Sequence, residues 1–96
     1  MTLDEFRATL DQPEPPPGLA PVLSALWHDA NGNWDAAHRI AQDVRTSDGA
    51  WVHAYLHRKE GDTGNAGYWY RQAGRPPATG TLEEEWEAIA ADLLSR

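Results

Sequence analysis

The segment Leu26-Trp27-His28-Asp29-Ala30-Asn31-Gly32 returns as Tyr55-Leu56-His57-Arg58-Lys59-Glu60-Gly61, an interval of 29 residues. The same offset pairs Ala25 with Ala54, Ala37 with Ala66 and Val44 with Ala73. A period of this length is that of a helix–turn–helix unit. Such a unit cannot bury its apolar face alone and must stack on a neighbour. The repeat therefore predicts two tandem helical hairpins.

Local signals agree. Thr2 and Glu5, and again Thr81 and Glu84, have capping-box spacing, in which each side chain accepts an orphan backbone N–H at a helix start. Pro21 suits a first helical turn, and Leu19, Val22, Leu23, Leu26, Trp27 and Ala30 then recur at helical steps. Gly32 and Gly61 suit left-handed stops, and Asn33 and Asp62 suit the caps that follow. The faces Trp34, Ala37, Ile40, Ala41, Val44 and Ala66, Trp69, Tyr70, Ala73 complete the hairpins, while Leu82, Trp86, Ile89, Ala90 and Leu93 form a final stripe. The expected fold class is all-α, with stacked antiparallel hairpins in a single domain over 1–96. It divides into an N-terminal helix (2–12), a proline-rich connector (13–18), a first hairpin (19–45), a second hairpin (47–74) and a C-terminal helix (81–95). The terminal helices are expected to cap the exposed ends of the stack.

Composition narrows the function classes. Eight Lys and Arg against fifteen Asp and Glu leave a net charge of -7, which repels a phosphate backbone, so no nucleic-acid partner is expected. Cysteine is absent, which excludes disulfides and thiolate metal sites. The start Met1–Arg7 is charged and acidic where an export signal has a basic start followed by an apolar run. No stretch reaches the roughly 20 apolar residues that span a bilayer. The expectation is a cytoplasmic chain without a membrane partner.

Gly61-Asp62, then Ala66, Trp69-Tyr70 and Ala73 ahead of Pro76-Pro77, resembles tetratricopeptide repeats, and especially their Sel-like relatives, over Pro21 to Pro77. That resemblance implies a small α–α superhelix of two repeats plus capping helices, whose inner face binds peptides or partner proteins. His57-Arg58-Lys59-Glu60-Gly61-Asp62, with Asn65-Ala66-Gly67-Tyr68-Trp69-Tyr70, is also similar to a group of small bacterial and fungal proteins, a likeness that implies no particular activity. Ala50 and His57 depart from the repeat pattern, where Trp and Tyr are common.

Helical spacing puts Trp51, Tyr55, Arg58 and Lys59 on one stripe of the third long helix. Under the resemblance this stripe faces the inner surface, and its residue types are those of binding hot spots. The leading expectation is a non-catalytic interaction module for a protein, a peptide or a second copy of itself, with binding residues Trp51, Tyr55, His57, Arg58, Lys59, Tyr68 and Arg71. The competing reading of the stripe is that the acidic C-terminal helix lies over it, with Glu83 to Glu87 facing Arg58 and Lys59. His53 and His57 stand four apart with Glu60 one turn on, a spacing that suits a shared metal ion or acid–base chemistry. Position 54 is Ala, so the zinc-protease arrangement His-Glu-x-x-His is missing. The alternative for these imidazoles is hydrogen bonding to neighbours in the core. No cofactor, resident metal or catalytic residue is expected on the leading reading.

Overall fold

The computed structural model describes residues 1–96. It holds six α-helices and no strands: α1 (Leu3–Ala8), α2 (Pro21–Ala30), α3 (Trp34–Asp43), α4 (Ser47–Lys59), α5 (Thr63–Ala73) and α6 (Leu82–Leu94). The chain is all-α, and no helix is long and apolar enough to cross a membrane.

The N-terminal helix is shorter than its apolar spacing suggests. After Ala8 the chain tightens into a 3-10 turn over Thr9–Asp11. The Thr9 hydroxyl donates to Phe6 O at 2.6 Å, capping a carbonyl that another α-turn would have used. Both capping boxes form, with Thr2 and Glu5 opening α1 and Thr81 and Glu84 opening α6. α4 begins at Ser47, where the second hairpin was expected to start. Thr46 is its N-cap, accepting from Gly49 N at 3.3 Å, and Ser47 to Gly49 are already helical. Gly49 is required by contact: a Cβ there would stand 2.0 Å from Val44 O, so only glycine lets the α3–α4 loop cross the helix start.

The two hairpin turns match bond for bond at the 29-residue offset. Gly32 N donates to Asp29 O and Gly61 N to Arg58 O; Asn33 N donates to His28 O and Asp62 N to His57 O. Gly32 and Gly61 have φ of 80° and 88°, the left-handed region where a side chain is strained. Asn33 then accepts from Ala36 N, and Asp62 from Asn65 N, each at 3.1 Å.

α2 packs on α3, α4 on α5, and α3 on α4, so the hairpins stack through their inner helices. α4 is the axis of the core, with every residue from Gly49 to His57 buried. α6 lies against α4, α2 and α1. Its Trp86 donates from Nε1 to Leu26 O at 3.0 Å and stacks on Phe6 with ring centroids 5.8 Å apart. The terminal helices thus close one side of the two-hairpin stack.

Candidate functional site

α6 occupies the stripe of α4 that sequence spacing singled out. Trp51 and Tyr55 are buried, and so is Glu85, the acid that α6 lowers onto them. Glu85 accepts from Arg58 Nη1 at 3.0 Å and from the Tyr70 hydroxyl at 2.5 Å. Arg58 also donates to Gly80 O in the α5–α6 loop. Lys59 takes a different partner from the one its position suggested. Its Nζ meets Asp29 of α2 at 2.9 Å, and the other Asp29 oxygen accepts from the Tyr55 hydroxyl at 2.8 Å. Trp51 is covered by the Arg75 guanidinium, 3.4 Å above its ring. Burial, and then the adjoining carboxylates, push the Tyr55 and Tyr70 phenols well above their usual range, so both remain hydrogen-bond donors.

Tyr68 and Arg71 lie on the exposed face of α5, apart from that stripe. The Tyr68 ring stacks on Trp69, with centroids 5.0 Å apart. His57 faces neither α6 nor open solvent. It belongs with a second group of side chains between α3, α4 and α5.

In that group, ring nitrogens of His38, His53 and His57 lie within 4.8 Å of one another. His38 comes from α3, and His53 and His57 from successive turns of α4. His38 Nε2 and His53 Nε2 are 3.0 Å apart, and their rings meet edge to face. His57 stacks on His53 at 4.8 Å between centroids, and its Nδ1 meets Glu60 Oε1 at 3.0 Å. Trp34 lies over His38 at 4.8 Å, and Trp69 lies over His53 at 4.0 Å. The Trp34 indole is fixed by its N–H, which donates to Leu56 O at 2.9 Å.

Burial lowers the His53 imidazole to about 4, helped by the proximity of His38 and His57. Burial and then His57 lower His38 as well. Both are therefore neutral at physiological pH, the state in which an imidazole offers a lone pair to a metal. Glu60 and Asp62 form a separate cluster with His57, and neither carboxylate joins the three-imidazole set. Asp62 is held below the ordinary carboxylate range by hydrogen bonds from the Asn65 side chain and backbone, in keeping with its capping duty.

A cleft of about 610 Å³ opens between the α3–α4 loop and α5, and of the three imidazoles only that of His53 reaches it. His53 and Trp69 line it, together with Gln42, Asp43, Arg45, Thr46 and Gln72.

His53, His57 and Glu60 are separated by single helical turns, whereas His38 completes the group from another helix. One signal for it was present. His38 stands four residues after Trp34 and three before Ala41, so the pitch that turns those two toward the core also aims position 38 at α4. No family model, curated protein or solved structure matches this chain.

Proposed function

We propose that the chain is a small helical-hairpin protein that binds one first-row transition-metal ion of the zinc class through His38, His53 and His57. The convergence of the three imidazole nitrogens within 4.8 Å carries this reading. An all-nitrogen donor set suits zinc, cobalt, nickel or copper and disfavours magnesium and calcium, which prefer oxygen. Two nitrogens on one tetrahedral zinc lie roughly 3.3 Å apart, given Zn–N bonds near 2.0–2.1 Å. His38 and His53, at 3.0 Å, need to part only slightly to admit the ion. Glu60 supports the set by accepting from His57 Nδ1, which fixes the ring and leaves Nε2 as the ligand atom.

The likeness of the two turns supports two copies of one helical hairpin, and the tetratricopeptide or Sel-like kind is proposed on the sequence resemblance alone. The inner stripe proposed for a partner is covered in large part by the molecule itself, with Glu85 of α6 buried between Arg58 and Tyr70 and Arg75 over Trp51, which favours metal binding over partner capture.

Equilibrium dialysis of tag-free protein against zinc tests the proposal. One ion per chain is expected, with a loss of at least about tenfold in affinity on His38→Ala or His53→Ala. Failure to retain zinc at micromolar concentration, or equal retention by both variants, would refute it.

A further inference from the structure

The inner stripe of α4 is not closed along its whole length. At its Lys59 end a cleft of about 370 Å³ opens between the N-terminal segment, α2, α4 and α6. That volume lies in the lower part of the range for small-molecule sites, roughly 300–1,000 Å³, and suits a compact metabolite. Part of the lining is apolar: Leu10, Leu82 and the Trp86 ring. The indole N–H of Trp86 is already spent on Leu26 O, and the Tyr55 hydroxyl is spent as a donor on Asp29. The remainder of the lining is charged. Lys59 gives one N–H to buried Asp29, but its side chain stays 37% exposed, and an ammonium has further N–H groups for a ligand. Arg7 likewise spends one guanidinium N–H on Glu87 and keeps others. Glu83 lines the same cleft from α6, is exposed, and forms no ion pair within the chain.

We propose that this cleft binds a free α-amino acid with an apolar side chain, as the zwitterion, at a site independent of the three imidazoles. A purely anionic ligand would meet Glu83 and Asp29, and a purely cationic one would meet Lys59 and Arg7, each at a Coulombic cost. A zwitterion turns both sets of charges to advantage. Its carboxylate accepts from Lys59 and Arg7, its ammonium donates to Glu83, and its side chain covers Leu10, Leu82 and Trp86. Burial of that side chain supplies affinity, while the opposed charges supply selectivity. Within a peptide the two charged groups no longer share one α-carbon, so the free amino acid is favoured over a chain that contains it.

The test is equilibrium dialysis of the full, tag-free chain against radiolabelled leucine, with a chelator present so that no metal ion takes part. Saturable binding of one leucine per chain is expected. Two competitors separate the charges: 4-methylpentanoate, which is leucine without its amino group, and 3-methylbutylamine, which is leucine without its carboxylate. Each should compete about tenfold less well than unlabelled leucine, or worse. Glu83→Gln, at an exposed position, should weaken leucine about tenfold and leave the weak competition by 4-methylpentanoate undiminished. Ala30→Trp, at an exposed position on the lining, should abolish binding by obstruction, with a thermal melt confirming that the variant folds. No retention of leucine at millimolar concentration would overturn the inference and leave the metal site standing. Equal competition by either analogue would overturn the zwitterion. Unchanged leucine binding in both variants would overturn the assignment to this cleft.

Discussion

Acidifying the metal-free protein from about pH 7.5 to about pH 4.5 should remove close to 2.5 kcal/mol of folding stability through His53 alone. The side chain titrates near 4 when folded, against 6.5 for an unperturbed histidine. Because the folded value is the lower one, the unfolded chain takes up the proton first as the pH falls. The stability associated with a neutral His53 is fully present above the unfolded pKa, declines through the window from 6.5 to about 4, and then levels off. Within that window each pH unit is worth about 1.36 kcal/mol per proton. His38, also lowered by burial and by His57, adds to the slope in the same sense. Urea unfolding followed by far-UV circular dichroism, with a chelator present, measures the effect at half-unit steps. The control is His53→Phe, which keeps an aromatic ring against Trp69 but takes up no proton. The stability gap between wild type and variant should shift by about 2.5 kcal/mol across the window, to the wild type's disadvantage at low pH. The paired carboxylates Glu5, Asp62 and Glu84, all held below their usual range, are common to both proteins and cancel. Parallel curves would refute the claim that the folded chain holds His53 neutral.

Gly49→Ala drives a methyl group to 2.0 Å from Val44 O and should destabilise the fold by about 3 kcal/mol, the upper range for overpacking, as read from the urea midpoint. Tyr55→Phe removes one of the two donors to buried Asp29 and should lower stability by about 1–3 kcal/mol; a thermal melt unchanged from wild type would show that this hydrogen bond contributes nothing. Glu60→Gln leaves the three imidazoles in place but weakens the acceptor at His57 Nδ1, so zinc affinity should fall about tenfold in dialysis with the melting temperature of the metal-free form nearly unchanged.

What the sequence exposes here is the chemistry of short range. The turns at Gly32 and Gly61 and the caps at Thr2, Asn33, Asp62 and Thr81 are settled by residues three or four apart, and each is visible in the chain as written. The placement of α6 depends on contacts between distant segments. Charge alone suggested that its acids would meet Arg58 and Lys59, and Glu85 does reach Arg58. It could not show that Lys59 turns instead to Asp29, which α2 carries to within 2.9 Å. His53 and His57 stood out as a helical pair, but His38, which the spacing from Trp34 to Ala41 places on the inner face of α3, joins them only because α3 packs across α4. The glycine at position 49 gave no hint of its purpose, since its backbone is helical and its constraint comes from a neighbouring loop.

The indoles of Trp34 and Trp69, laid flat on His38 and His53, give the molecule a built-in optical gauge. Protonation of either imidazole, or capture of an ion between them, changes the electronic surroundings of a fluorophore in direct van der Waals contact. Emission from the unlabelled protein should therefore follow both events in real time, and replacing Trp69 with Phe would silence the half of the signal that belongs to His53.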